Sequence, residues 1–251
     1  MLWLIELRKH AGFFAVTIGL AVTTSVAAAL FPQQQVLEVI QTLTGMLVWC
    51  ASAIYAAADL VRFLALGHDV LLHCSAFGPL RSACTKATIL GAFLVALHAA
   101  TLGGGAGAIA EAVGAEAPTV FTYYVVAKAL SIVTYLATVV LSALVSKVFR
   151  TRNLVVTTFT VVLVAMVIGQ TIALWRLGAP GTDFFFIGVG GDFLSVNLYA
   201  NILPIILTAP SEGFVPPIAG LSIVLNMAVA VATVLGVLLL SRFRRFDFVA
   251  L

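Results

Sequence analysis

Charged residues are scarce in this sequence. Only 9% of its 251 residues are Asp, Glu, Lys or Arg, and 62% are hydrophobic, whereas about a quarter of the residues in an ordinary soluble domain are charged. So low a charge content excludes an ordinary soluble protein, and we expect no nucleic-acid partner. The composition predicts a protein embedded in a membrane.

Alternation of apolar and polar residues, the pattern of a membrane β-barrel strand, is also lacking. Barrel strands alternate over about 10 residues, whereas the apolar runs here extend over about 18 to 28 residues, as spanning helices require. The fold class predicted is therefore an all-α polytopic membrane protein with one transmembrane domain over residues 1–251. Six spans are predicted, at about residues 12–30, 36–57, 87–103, 119–146, 154–175 and 218–240.

Motifs for disulfides, metals and catalysis are missing as well. Cys50, Cys74 and Cys84 form no CxxC pair, and His68 and His73 are five residues apart, on different faces of a helix, so no metal site is predicted. No GxxxxGK[ST], GxSxG or HExxH occurs. The chain is therefore expected to be no enzyme, to bind no cofactor and to depend on a separate protein for any ATP hydrolysis.

Basic residues are distributed unevenly around the predicted spans. Eleven of the 13 Lys and Arg residues flank one face of the membrane, Arg176 alone flanks the other, and Lys128 lies within a span. By the positive-inside bias, both termini of this multi-pass protein are predicted to be cytoplasmic, in the plasma membrane of a bacterium. The eleven are Arg8, Lys9, Arg62, Arg81, Lys86, Lys147, Arg150, Arg152, Arg242, Arg244 and Arg245.

Two segments outside the spans are predicted to have structure of their own. Residues 1–10, MLWLIELRKH, are typical of an amphipathic helix lying on the inner membrane surface. A cleaved signal peptide is the alternative, but the acidic Glu6 and the long apolar run of 11–30 favour a retained helix. Residues 176–217 are too apolar for a free loop, and their half-length apolar runs predict short re-entrant helices.

The connection between the second and third predicted spans, residues 58–86, is long and carries most of the polar chemistry of the first half. Its apolar residues recur at helical spacing, which predicts one or two short helices along the membrane. The alternative is that its charges serve only to fix topology. Six positions stand out: Gly67, the pair Leu71 and Leu72, and Pro79, Arg81 and Lys86 in GPLRSACTK.

The sequence combines these residues with an N-terminal helix ending in ELRKH and six predicted spans. In this combination it resembles the ABC-2 type permease subunits of ATP-binding-cassette transporters. Leu80 stands where that family has Ser, the gap before Pro79 is longer than usual, and Asp59 is the candidate for the acidic residue ahead of the Gly. The resemblance implies that residues 58–86 form a coupling loop that contacts an ATPase. The residues implied in this contact are Leu64, Gly67, His68, Asp69, Leu71, Leu72, His73 and Phe77.

The same resemblance implies the partners: two ATP-binding subunits that hold ATP and Mg²⁺, a second permease copy or a homologous permease, and membrane lipids. Arg81 and Lys86 are expected to hold lipid headgroups or to pair with Glu6. The interfacial anchors predicted are Glu6, Arg8, Lys9, Arg81 and Lys86.

Polar residues inside the spans are candidates for a cargo path. Lys128 lies about ten residues in from Pro118, about 15 Å deep, where an unpaired ammonium costs several kcal/mol. Glu38, His98, Asp183 or Asp192 is its expected partner, either along a cargo path or in a purely structural pair. His98, Gln170 and Asn226 are single polar groups that interhelical hydrogen bonds would also explain.

The function that the resemblance implies is export of an amphiphilic cargo, such as an antimicrobial peptide, a lantibiotic or a hydrophobic drug. An intramembrane lipid-modifying enzyme is one alternative, and it requires a cluster of reactive groups at one depth. An ion-driven secondary transporter is the other. It requires a buried carboxylate or broken helices in mid-membrane.

Overall fold

The described part of the chain folds into six α-helices. The computed structural model describes residues 2–31, 33–65, 79–102, 117–151, 153–176, 208–209, 213–214 and 216–243. The helices are α1 (Leu2–Leu30), α2 (Gln35–Leu64), α3 (Pro79–Leu102), α4 (Ala117–Phe149), α5 (Leu154–Arg176) and α6 (Pro216–Phe243). Two antiparallel strands of two residues each, β1 (Thr208–Ala209) and β2 (Gly213–Phe214), precede α6.

Five of these helices, α1 to α4 and α6, are long and apolar enough to cross a membrane. In α5 the apolar helical segment found among the described residues is Leu154–Met166, which is shorter than a span. The predicted class, a helical polytopic membrane protein, is therefore confirmed. The helices follow the predicted spans along the chain. A bilayer core of about 30 Å requires about 20 apolar residues at each crossing, and runs of that length are visible in the sequence.

The first turns of α1 differ from the prediction. Residues 2–10 are not a separate interfacial helix, because α1 runs from Leu2 to Leu30 without a break. The physical reason is tertiary: Glu6 and His10 are buried against other helices. Trp3, Leu4 and Leu7 in the same turns are exposed, which agrees with the lipid-facing role expected of apolar residues there.

The connection after α2 is shorter than predicted. Residues 58–64 are the last turns of α2, and Pro79–Lys86 are the first turns of α3, so the loop assigned to 58–86 begins only after Leu64. Residues 66–78 lie outside the described residues. The proposed re-entrant runs at 184–189 and 198–207 lie outside them too, and β1 and β2 follow those runs.

Helix α4 is the centre of the bundle. It packs against α2, α3, α5 and α6, and α1 packs against α2 and α3. Stacked rings join α1 to its neighbours: Phe14 lies on Phe93 of α3 with centroids 4.5 Å apart, and Phe13 lies on Tyr55 of α2 at 4.2 Å. We call the end at which α1 begins, α2 ends and α3 begins the basal end of the bundle.

A Schellman motif ends α4. Arg150 adopts a left-handed conformation with φ of 53°, the Thr151 amide donates to the Ser146 carbonyl at 3.1 Å, and the Arg150 amide donates to the Lys147 carbonyl at 3.3 Å. These two bonds satisfy carbonyls that the helix end would leave without partners. The turn directs the chain straight into α5.

Candidate functional site

Three helices bring a group of charged side chains together at the basal end. Glu6 and His10 are four residues apart on α1, so they share one face of that helix. Tyr55 and Asp59 stand in the same relation on α2, and Lys86 projects from α3. We call this group the ionic cluster; its members are Glu6, Lys9, His10, Tyr55, Asp59 and Lys86.

Lys86 is the centre of the ionic cluster. Its Nζ lies 2.8 Å from Asp59 Oδ2 and 3.0 Å from Glu6 Oε2, and only 1% of its side chain is exposed. The ammonium also lies 5.4 Å from the centre of the Phe63 ring, within the range of a cation–π contact. One lysine therefore links α1, α2 and α3.

His10 lies beside the same carboxylates. Its Nε2 is 3.2 Å from Glu6 Oε2 and 3.5 Å from Asp59 Oδ2, and its Nδ1 is 2.9 Å from the Tyr55 hydroxyl. Since carboxylate oxygens only accept hydrogen bonds, Nε2 carries a hydrogen and donates it to Glu6. In the neutral ring Nδ1 then accepts the hydrogen bond of the Tyr55 hydroxyl.

The charges of the ionic cluster balance. Lys9 Nζ, whose side chain is 40% exposed, lies 3.4 Å from Asp59 Oδ1. Two carboxylates and two ammonium groups cancel when the His10 ring is neutral. This balance allows burial, because a buried charge is tolerated in proteins where it is paired and hydrogen-bonded.

The ionic cluster also contains possible metal ligands. One ligand atom each from Glu6, His10 and Asp59 lies within 4.8 Å of the others. However, Lys86 Nζ already occupies the position between the Glu6 and Asp59 carboxylates, where it contacts both. A metal ion would have to displace an ammonium that already neutralises the carboxylates, so the geometry fits an internal cation rather than a metal ion.

A fourth helix joins the basal end through a lysine of α4. Lys147 Nζ donates a hydrogen bond to the carbonyl oxygen of Leu64 at 3.1 Å. This carbonyl belongs to the last residue of α2, where helix carbonyls lack an internal partner. Lys147 therefore caps α2 at the point where the chain leaves for residues 66–78.

A second polar group lies around Trp49 of α2. Lys128 of α4 places its Nζ 5.4 Å from the centre of the Trp49 ring, and the His98 ring of α3 meets the same indole edge-on at 6.0 Å. Lys128 is 2% exposed and its Nζ makes no hydrogen bond to any described group. A cation–π contact with Trp49 is thus the stabilising contact that the structure provides for this buried ammonium.

The predicted anchors and path residues have different positions. Of the two alternatives predicted for Lys86, a lipid headgroup or a pair with Glu6, the structure contains the pair, and Arg8, Lys9 and Arg81 are exposed. Of the path residues, His98 and Lys128 meet at Trp49. Asn226 is fully buried in α6, and the side chain of Gln170 in α5 lies outside the description.

The predicted coupling residues are almost all outside the described residues. Leu64 is the exception: its side chain is 1% exposed and packs in the core, so it is not available to a partner. The residues outside the description are Gly67, His68, Asp69, Leu71, Leu72, His73 and Phe77.

Sequence reasoning missed Trp49, Tyr55 and His10 as members of these groups. The signal for the ionic cluster was present in the i, i+4 pairs of α1 and α2, which place two polar side chains on one face of each helix. No such signal marks Trp49, because a tryptophan in an apolar helix is ordinary.

No family model matches the chain, and comparisons with curated proteins and with solved structures find no match either. The resemblance to ABC-2 permeases therefore stays a prediction that depends on the sequence pattern.

Proposed function

We propose that the chain is the membrane-spanning permease subunit of an ATP-binding-cassette exporter. It acts with two separate ATP-binding subunits, which hold ATP and Mg²⁺, and with a second copy or a homologous permease. Its cargo is amphiphilic, such as an antimicrobial peptide, a lantibiotic or a hydrophobic drug. The termini and the 66–78 connection face the bacterial cytoplasm.

One observation supports this proposal most: the basal end is clamped on both sides of the 66–78 connection. Lys86, just after the connection, pairs with Asp59 of α2 and Glu6 of α1. Lys147 of α4 holds the carbonyl at which α2 ends. A force applied to the connection by a cytoplasmic motor would therefore move α1, α2, α3 and α4 together.

A coupling device requires this kind of rigidity. An ATPase outside the membrane transmits motion only through a part that does not deform on its own, and packed helices with buried ion pairs deform little. Contact between the motor and an isolated flexible loop would not move the spans.

The experiment is co-purification of the chain with an ATPase, followed by measurement of cargo-stimulated ATP hydrolysis. We expect the double substitution Leu71→Asp and Leu72→Asp to abolish stimulation, because it places charges in the apolar contact. The control is Leu71→Met with Leu72→Met, which keeps the contact apolar. Full stimulation of an intact complex by the Asp variant would show that this connection is not the coupling element.

A second candidate, an ion-driven secondary transporter, is favoured by one observation. Such proteins use buried carboxylates to bind the coupling ion or proton, and Glu6 is a buried carboxylate shared by Lys86 and His10. The test is cargo movement in vesicles that contain this chain alone under a pH gradient. Movement without an ATPase that Glu6→Gln abolishes would favour this candidate over the exporter.

A further inference from the structure

An apolar cleft opens on the outside of the bundle between α3, α4 and α6. Its volume is about 400 Å³, and its lining residues fall between Ala83 and Val95 on α3, between Ala129 and Val140 on α4 and between Val234 and Leu238 on α6. Small residues create the space: Gly91 has no side chain, and a Cβ there would come within 3.3 Å of Leu136 Cδ1. The two helices approach closely at that point, and Gly91 itself lines the cleft. We call this cleft the α3–α6 groove.

The length of the α3–α6 groove matches half a bilayer. Its α3 wall runs from Ala83 to Val95, which at 1.5 Å per residue is about 18 Å. One leaflet of the hydrocarbon core is about 15 Å thick. A single acyl chain of a lipid in one leaflet would therefore occupy the groove along its length.

A basic residue stands at the basal end of the groove. Arg81 precedes Cys84 by three residues and Thr88 by seven, which places all three on one side of α3. Arg81 is exposed, and Cys84 and Thr88 line the groove. A phosphate at the head of an acyl chain in the groove would lie within reach of this guanidinium.

We propose that the α3–α6 groove binds one acyl chain of an anionic phospholipid, with the phosphate of the lipid beside Arg81. This site does not depend on the proposed transport function. The shape favours a lipid over a second copy of the chain: a narrow cleft takes one flexible chain, whereas a stable protein interface buries about 1,200 Å² or more. The charge at one end favours an anionic head group over a zwitterionic one.

The first experiment is native mass spectrometry of the purified full-length protein with added phosphatidylglycerol or phosphatidylcholine. We expect one retained phosphatidylglycerol in the wild type, and its loss in Thr88→Trp, because the indole fills the groove. Ala96→Trp is the matched control, since Ala96 is exposed on the same helix and does not line the groove. Equal retention by Thr88→Trp and the wild type would overturn the proposal.

The head-group contact has its own variant. Arg81→Gln should lower the preference for phosphatidylglycerol over phosphatidylcholine about fivefold, the effect of about 1 kcal/mol for one basic residue at an anionic surface. Arg62→Gln, which removes an exposed charge from the last turn of α2, should leave the preference unchanged. An unchanged preference in Arg81→Gln, or an equal loss in both variants, would contradict the contact.

A labelling experiment tests the groove without changing it. Cys84 lines the groove and Cys50 lies on α2, and both are exposed. In a Cys74→Ser background, phosphatidylglycerol should slow modification of Cys84 by a hydrophobic maleimide and leave Cys50 unaffected. Equal rates at Cys84 with and without the lipid would overturn the proposal, as would protection that appears only when the protein dimerises, which would make a second copy the occupant.

Discussion

Replacing Lys86 by methionine removes the charge that holds the ionic cluster together and keeps most of the side-chain volume. At 2.8 and 3.0 Å, each ion pair has a Coulomb energy of about 5.5 to 6 kcal/mol at an effective dielectric constant of about 20. The cost of removing these charges from water offsets much of that. Breaking a buried pair by deleting one partner costs about 3 to 5 kcal/mol net, because the remaining charge is left buried.

The assay is thermal unfolding of the purified protein in detergent, and the matched control is Lys9→Met. Both lysines contact the Asp59 carboxylate, but Lys9 is 40% exposed, and an exposed ion pair contributes about 1 kcal/mol or less. At about 2 to 4 °C per kcal/mol, we expect Lys86→Met to lower Tm by about 10 °C and Lys9→Met by a few degrees at most.

A rescue variant separates lost charge from lost packing. Adding Glu6→Gln and Asp59→Asn to Lys86→Met leaves no buried charge without a partner, and neutral replacement of a buried ionic group is often close to neutral for stability. We expect the triple variant to recover most of the Tm. Two results would contradict a stabilising role for the ionic cluster. One is equal Tm values for Lys86→Met and Lys9→Met, and the other is a triple variant with the lowest Tm of all.

Three further changes have definite expected outcomes. Lys128→Met should leave assembly intact, with a Tm equal to or above that of the wild type, and should alter the cargo response; unchanged transport would assign Lys128 a structural role only. Replacing glycine by alanine in a helix raises the free energy of unfolding by up to about 1 kcal/mol. Gly91→Ala should not show this gain, because its Cβ would lie 3.3 Å from Leu136 of α4. Gly19→Ala, whose Cβ would have no neighbour within 4 Å, should show the gain in the same unfolding assay. Tyr55→Phe should cost about 1 to 2 kcal/mol by removing the hydrogen bond to His10 at 2.9 Å, and a Tm equal to that of the wild type would contradict this hydrogen bond.

The helices could be predicted well because one physical quantity, bilayer thickness, determines their length. The span predicted at 119–146 lies within α4 (Ala117–Phe149). The span predicted at 154–175 is helical as α5 (Leu154–Arg176), but its apolar segment, Leu154–Met166, is shorter than a span. The errors lie where a helix continues past the apolar run. Residues 58–64 and 79–86 carry charges and were assigned to a loop, yet they are helical, and Asp59 and Lys86 satisfy each other across two helices.

The candidate site was predictable only in part, for a similar reason. The pairing of Lys86 with Glu6 followed from opposite charges expected at the same membrane face. His10 and Tyr55 could not be assigned because a contact 45 residues apart in the chain depends on how α1 packs on α2. Trp49 was missed because nothing in its own helix distinguishes an indole that receives a lysine from one that packs in a core.

The ionic cluster also has a consequence for biogenesis. Lys86 is synthesised 80 residues after Glu6, so while the first helix leaves the ribosome its carboxylate and the neighbouring imidazole have no partner from α3. Of the contacts in the ionic cluster, the one between His10 and Glu6 lies within α1 and can form as soon as the first helix is made. The links that join α1, α2 and α3 form only after the third helix has been synthesised and has supplied the ammonium of Lys86.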